Sequence, residues 1–115
     1  MGETQQGLIE LEATEVAALL EAGAITLVDV REPEEWEAER IPGAVLHPMS
    51  DFEPEAWPFA ASDKVVIMCL GGVRSAAVAK RLLKAGLDRA VHLKGGLTAW
   101  KNSGLPVAEA LDAAA

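Results

Sequence analysis

The sequence contains one cysteine in 115 residues. A single cysteine excludes an intramolecular disulfide and a cysteine cluster that could bind zinc or an iron–sulfur centre. The longest uninterrupted apolar run is residues 65–70, whereas a membrane-spanning helix needs about 20 apolar residues. Residues 1–7 lack the basic and apolar segments of a secretory signal. These absences predict a cytoplasmic protein with no membrane partner.

Basic residues are scarce in the first half of the chain. Residues 1–63 carry fifteen acidic and two basic side chains, whereas residues 64–115 carry three acidic and eight basic ones. The two net charges are −13 and +5, and the total is −8. An acidic total argues against nonspecific nucleic-acid binding, because that binding needs Lys and Arg to neutralise phosphates. The basic half can instead attract a small anion.

The composition is typical of one globular domain, with 50% hydrophobic and 24% charged residues. Strands are predicted over residues 25–30, 44–46, 65–68 and 90–93, the third of them central. Apolar strands that alternate with helical stretches predict an α/β fold, with a mostly parallel sheet that is covered on both faces.

Helix signals separate these strands. Thr14 is predicted to cap a first helix, and Pro33 to begin an acidic one. Further helices are predicted over residues 75–85 and after Gly95-Gly96, the last of them ending before Gly104. Residues 48–62 contain three prolines and no clear period, so a loop with at most a short helix is expected.

The most informative segment follows the central strand and consists of Cys69, Leu70, Gly71, Gly72, Val73, Arg74 and Ser75. In open α/β sheets, ligands bind where strands end. The two glycines allow a tight turn with inward N–H groups, and a helix starting about six residues after Cys69 adds its positive end. Ser75 is expected to cap that helix, and Arg74 adds a positive charge. Together these features favour a thiolate at Cys69.

Two other interpretations of Cys69 stay open. A lone cysteine at the end of an apolar strand is often only a small buried hydrophobe. Cysteine phosphatases and arsenate reductases place five residues between cysteine and arginine, which makes a cradle for a tetrahedral oxyanion. Here four residues separate Cys69 from Arg74, and the smaller loop suits a single sulfur atom better. A phosphatase or arsenate reductase is therefore the less favoured alternative.

Residues 69–75 resemble the active loop of the rhodanese family, sulfurtransferases with a C-x4-R loop. Three further segments resemble family signatures in the same order along the chain. They are residues 28–33 (Val-Asp-Val-Arg-Glu-Pro, followed by Glu35-Trp36), residues 41–44 (Ile-Pro-Gly-Ala), and residues 95–100 with 104–107 (Gly-Gly-Leu-Thr-Ala-Trp and Gly-Leu-Pro-Val). The resemblance covers about residues 8–107.

The resemblance implies one rhodanese domain over residues 1–115, with a core of about 8–107 and flexible termini. It implies about five mostly parallel strands with helices on both faces, and neither a metal nor a cofactor. The implied mechanism is ping-pong: the Cys69 thiolate takes sulfane sulfur from a donor such as thiosulfate or a persulfide, and passes it to cyanide or a thiol. The N–H groups of residues 70–75 would stabilise the Cys69 persulfide, and no general base is expected.

The expected partners are therefore a small sulfur anion as donor and a thiol or cyanide as acceptor, and whether a protein accepts the sulfur is left open. A rhodanese-like binding or regulatory module without turnover is the second hypothesis, although such modules often lack the cysteine. Two departures from the family pattern stand out. Arg40 occupies a place where the family often has His, and the apolar Leu70 weakens the case for thiosulfate as the physiological donor.

Charged residues after the first predicted strand complete the candidate site. Asp29 and Arg31 follow a buried strand, where a charge needs a partner. A structural ion pair beneath the loop is favoured over contact with substrate. Arg74 has two open orientations, either toward the sulfur or outward onto an acid such as Asp29 or Glu32.

Four further side chains, outside these segments, are not predicted to take part in the reaction. His47 and His92, the latter expected at a strand end, have no second ligand at a useful spacing and are interpreted as structural. Trp57 and Phe59 either overhang the site, contact a partner or form a local apolar cluster.

Overall fold

A computed structural model describes residues 2–5 and 7–109, which form an α/β fold. The strands are β1 (Gly2–Gln5), β2 (Leu8–Leu11), β3 (Thr26–Asp29), β4 (Glu39–Arg40), β5 (Val45–Leu46), β6 (Val65–Met68), β7 (Ala90–Leu93) and β8 (Ala108–Glu109). The helices are α1 (Ala13–Glu21), α2 (Pro33–Ala38), α3 (Val73–Lys84) and α4 (Gly96–Asn102). Short 3-10 turns occupy Met49–Asp51, Pro54–Ala56 and Ala61–Asp63, where a loop was expected.

The main sheet has the strand order β1-β2-β7-β6-β3-β5. The last five of these strands are parallel, which confirms the expected five-stranded parallel sheet. The strand β1 adds an antiparallel edge to β2 and comes from residues that the predicted core left out. The strands β4 and β8 pair separately as a short antiparallel ribbon. The prediction of flexible termini concerns the residues before 8 and after 107, of which residues 1, 6 and 110–115 lie outside the described residues.

Helices cover both faces of the sheet, as predicted. On one face, Val16 of α1 packs with Leu97 and Trp100 of α4. On the other face, Val78 and Leu82 of α3 pack against the strands. All five side chains are buried. The sheet therefore separates two apolar clusters, and the helices α3 and α4, which both begin near the end of β6, lie on opposite faces.

The start of α1 differs from the sequence prediction. The helix begins at Ala13 and its N-cap is Glu12, which forms a reciprocal capping box with Glu15. Thr14 was therefore wrongly predicted as the cap and lies inside the first turn. The prediction failed because Glu12 and Glu15 supply the same two hydrogen bonds that a Ser or Thr capping box would supply.

Candidate active site

The loop after β6 curls around the sulfur of Cys69. The backbone N–H groups of Gly72 and Ser75 donate to Cys69 Sγ, at N···S distances of 3.1 and 3.3 Å. The hydroxyl oxygen of Ser75 lies 3.6 Å from the same sulfur. Cys69 itself is 1% exposed. N–H donors directed at sulfur favour its negatively charged form over the neutral thiol.

The helix α3 begins closer to Cys69 than the sequence suggested. Its first residue is Val73, four positions after the cysteine rather than about six, and its N-cap is Gly72 in the left-handed conformation (φ +98°). Ser75 was wrongly predicted as the cap, since it lies in the first turn, with its hydroxyl oxygen 3.3 Å from the Gly72 carbonyl oxygen. The earlier start brings first-turn N–H groups, which have no partner within the helix, up to the sulfur.

The carbonyl side of the loop is held by the N-terminus of α4. The N–H of Leu97 donates to the Cys69 carbonyl at 2.9 Å, and the N–H of Thr98 donates to the Leu70 carbonyl at 3.0 Å. This approach requires glycine at position 96, where φ is +58° and a Cβ would overlap both carbonyl oxygens. Because these carbonyls bind α4, the loop can turn its N–H groups toward the sulfur.

Arg74 is turned away from the sulfur and forms a two-pronged ion pair with Glu35. Its Nη1 and Nη2 donate to Glu35 Oε1 and Oε2 at 2.7 and 2.9 Å. Each side chain is 32% exposed. The hydrogen bond from Arg74 is the main cause that lowers the pKa of Glu35 to about 2, against an opposing effect of burial. The structure thus gives Arg74 the outward orientation, with Glu35 as the acid rather than Asp29 or Glu32.

Asp29 and Arg31 form a buried ion pair at the end of β3. Nε and Nη2 of Arg31 donate to Asp29 Oδ2 at 3.0 and 2.8 Å, and both residues are buried. Arg31 also donates to the backbone carbonyls of Glu39 at 2.8 Å and Glu35 at 3.4 Å. The pair therefore ties the end of β3 to the segment that carries the acidic partner of Arg74.

A second buried polar group reaches the loop from the neighbouring strands. The ring of His92 lies inside β7, not at its end, with Nδ1 2.9 Å from Ser75 Oγ and Nε2 3.0 Å from Glu10 Oε2. Glu10 is directly opposite His92 in the register of β2 and β7. Burial is the largest cause that lowers the pKa of His92, and Glu10 opposes it. Sequence analysis missed Glu10, although a carboxylate inside an apolar strand needs a partner.

The remaining loop positions are open to solvent. Leu70 is 45% exposed and Val73 is 81% exposed. A Cβ at Gly71 would meet no atom within 4 Å. These three residues therefore form an accessible and largely apolar rim around the buried sulfur.

Other residues noted in the sequence lie in local contacts. Trp57 packs edge-on against His47 and Phe59, with ring centroids 5.3 and 5.0 Å apart, which is the local cluster among the three interpretations. The guanidinium of Arg40 lies 5.1 Å from the centre of the Trp36 ring. Within residues 2–5 and 7–109, no three His, Cys, Asp or Glu side chains are grouped as they would be around a metal ion. In the same ranges, no helix combines the length and apolar character needed to cross a bilayer.

Comparison with known proteins gives the family. Residues 12–103 match the family described as Rhodanese-like domain. An uncharacterized protein of Synechocystis is 34% identical over 113 residues, covering 98% of this chain and 63% of that protein. A sulfurtransferase of Allochromatium vinosum is 35% identical over 83 residues, covering 72% of this chain and 78% of that protein.

Solved structures agree with this match. The crystal structure of a rhodanese-related protein from Thermoplasma volcanium superimposes with a TM-score of 0.75 at 29% identity, covering 87% of this chain and 97% of that one. The chain spans less than two thirds of the length of the Synechocystis relative. Two of the similar proteins are named as sulfurtransferases. With its four signature segments and its fold, the chain belongs to the rhodanese-like domain family.

Proposed function

We propose that the protein is a sulfurtransferase that carries sulfane sulfur on Cys69 as a persulfide. The observation that supports this most directly is the pair of N–H donors, from Gly72 and Ser75, at 3.1 and 3.3 Å from Sγ. They stabilise a thiolate before reaction, and neighbouring first-turn N–H groups can stabilise the charged outer sulfur after it. The four-residue spacing to Arg74 leaves a loop suited to one added sulfur atom.

The first half of the reaction loads the cysteine. The Cys69 thiolate attacks the outer sulfur of thiosulfate, or the outer sulfur of a persulfide. A new S–S bond forms to Sγ while the donor bond to that sulfur breaks, and its electron pair leaves with sulfite or with the donor thiolate. The product is a Cys69 persulfide with its negative charge on the outer sulfur.

The second half returns the enzyme to its starting state. Cyanide or a thiolate attacks the outer sulfur, forming thiocyanate or a new persulfide, and the electron pair of the broken S–S bond returns to Sγ. Because Arg74 is bound to Glu35, the loop N–H groups supply most of the stabilisation of the outer sulfur. The exposed side chain of Leu70 is apolar and offers no charge to thiosulfate, which argues against thiosulfate as the natural donor.

The test is the intact mass of the reduced protein after incubation with thiosulfate and, separately, with a small persulfide. We expect a gain of one sulfur atom that cyanide removes. Cys69→Ser is the control, and it should stay folded and gain nothing because Ser lacks the nucleophilic sulfur. No gain with either donor, from folded and reduced protein, would replace this proposal with a non-catalytic binding module.

A further inference from the structure

A chain of hydrogen bonds leads from Cys69 through three side chains toward the far side of β7. Cys69 Sγ lies 3.6 Å from Ser75 Oγ, and that oxygen lies 2.9 Å from His92 Nδ1. His92 Nε2 in turn lies 3.0 Å from Glu10 Oε2. Ser75 and His92 are buried, whereas the Glu10 side chain is 25% exposed. The reaction described above uses neither His92 nor Glu10.

The direction of these hydrogen bonds follows from Glu10. An ionised carboxylate can only accept hydrogen bonds, so His92 carries its proton on Nε2 and donates a hydrogen bond from it to Glu10. A neutral imidazole then has a lone pair on Nδ1, which accepts a hydrogen bond from the Ser75 hydroxyl at 2.9 Å, a shorter distance than the 3.3 Å from that hydroxyl to the Gly72 carbonyl. The hydroxyl oxygen of Ser75 is left to accept the S–H of Cys69. Each donor therefore points away from the cysteine and toward Glu10.

The imidazole of His92 is neutral near pH 7 and has a lone pair on Nδ1. Burial is the main cause that lowers the pKa of His92 from its ordinary value of 6.5, and it makes the ring a weaker base, so the ring takes a proton only where negative charges beside it stabilise the imidazolium. Glu10 from β2 favours the imidazolium, whereas Lys80 from α3 disfavours it. Cys69, at the end of β6, faces the ring through Ser75. A thiolate at Cys69 and the Glu10 carboxylate would lie on either side of an imidazolium and stabilise it.

We propose that His92 accepts the proton of the Cys69 thiol through the hydroxyl of Ser75, and that Glu10 positions the imidazole for this transfer. The S–H bond breaks as its proton moves to Ser75 Oγ, while the original O–H bond breaks as that proton moves to His92 Nδ1. No atom is oxidised or reduced, and the products are a thiolate and an imidazolium. The hydroxyl then donates to Sγ, so the reversed hydrogen bond stabilises the thiolate.

The inference rests on the proposed function, because the relay serves the same cysteine. Its test is the pH dependence of Cys69 alkylation by iodoacetamide, followed by intact mass, because only the thiolate reacts and the chain has no other cysteine. Ser75→Ala removes the hydroxyl. His92→Asn keeps an acceptor for the hydroxyl but cannot take a proton.

We expect Ser75→Ala and His92→Asn to raise the midpoint of the alkylation profile by about one pH unit. At a pH below the midpoint, this shift makes the alkylation about tenfold slower. The plateau rate at high pH should match the wild type, since the sulfur is equally accessible there. Glu10→Gln should shift the midpoint in the same direction by less. Glu21→Gln, which removes an exposed carboxylate of α1, is the matched control and should leave the midpoint unchanged.

An unchanged midpoint in Ser75→Ala and His92→Asn overturns the relay. A lowered plateau rate without a shift of the midpoint also overturns it, because the two residues would then only shape the loop. If both buried variants fail to fold, Glu10→Gln decides the question, and an unchanged midpoint there overturns the proposal. Alkylation reports ionisation whether or not Cys69 carries sulfur. Failure of the relay and failure of sulfur loading are therefore separate results.

Discussion

Arg74 stands in the loop where a cationic side chain could reach the sulfur, yet its guanidinium is bound to Glu35 through two hydrogen bonds. A guanidinium held by both its terminal nitrogens in a carboxylate fork has little freedom to turn toward another anion. Its partner comes from α2, and the buried Asp29–Arg31 pair anchors that segment to the sheet. The arginine therefore joins the loop to α2, and the N–H groups are left as the donors closest to Sγ.

This division of roles predicts that sulfur loading survives without the pair. The double variant Arg74→Ala/Glu35→Gln removes both charges together, so no unpaired carboxylate is left beside the loop. Because the pair is about one-third exposed, we expect a change in loading rate of no more than about fivefold. The measurement is the time course of persulfide formation by intact mass. A hundredfold loss, of the order seen when a charge-stabilising donor is removed, would mean that Arg74 acts on the sulfur.

The two helices that meet the loop act on different parts of it. The first turn of α3 directs N–H groups at the sulfur, and the first turn of α4 binds the carbonyls of Cys69 and Leu70. The second contact depends on Gly96, because a Cβ there would overlap both carbonyl oxygens. The loop is thus fixed from both sides of the sheet.

The substitution Gly96→Ala should lower the free energy of unfolding by more than the backbone conformation alone explains, because the added Cβ would also overlap other atoms. Gly104, after the other end of α4, also has a positive φ (+76°) but no atom within 4 Å of its Cβ position. We expect Gly104→Ala to lower the free energy of unfolding by about 1–2 kcal/mol. Gly96→Ala should lower it by more and should also change the alkylation rate of Cys69. Urea unfolding measures the free energy of unfolding of both variants. An equal decrease in Gly96→Ala and Gly104→Ala would contradict the steric role of Gly96.

Elements defined by local patterns were predicted well, and those defined by distant contacts were not. The apolar run Val65–Met68 gave the central strand, and the segment after it gave the loop. The strands β4 and β8 have two residues each, too few to show an alternating pattern. The acid that binds Arg74 is 39 positions away, and His92 and Glu10 are 82 positions apart. Such partners depend on strand order and register, which local periodicity does not contain.

In the whole molecule, the acidic first half of the sequence and the basic second half are joined by ion pairs. Acids from the first half form ion pairs with bases from the second, as in Glu35 with Arg74 and Glu39 with Lys101. The acidic half and the basic half therefore meet at the candidate site and around it. Their opposite charges help to hold together segments that are far apart in the sequence.

The free energy of unfolding should fall in two steps as the pH is lowered, because the pKa values of His92 and Glu35 are both lower in the folded chain than in the unfolded chain. The folded chain keeps the pKa of His92 below 6.5, so below that pH the unfolded chain binds a proton that the folded chain does not. Glu35 has a pKa of about 2 when folded and about 4.5 when unfolded, so its contribution is present above pH 4.5 and is lost toward pH 2. Both shifts make acid destabilising.

The two steps can be separated by urea unfolding near pH 7.5, pH 5.5 and pH 3.5, values that bracket the two windows roughly. His92→Asn should flatten the decline between the first two conditions, and Glu35→Gln should flatten the decline below the second. Each variant should leave the other step as it is in the wild type. A decline of unchanged slope in both variants would assign the acid sensitivity to other groups.

The contact between α4 and the loop also bears on how related sequences are compared. The N-terminus of α4 binds the backbone carbonyls at positions 69 and 70, and a backbone carbonyl is the same whatever side chain its residue carries. A relative that had replaced the cysteine and kept the fold would still need a glycine at the place of Gly96. Retention of that glycine in an alignment is therefore a mark of the architecture, and only its occurrence together with the cysteine speaks for sulfur chemistry.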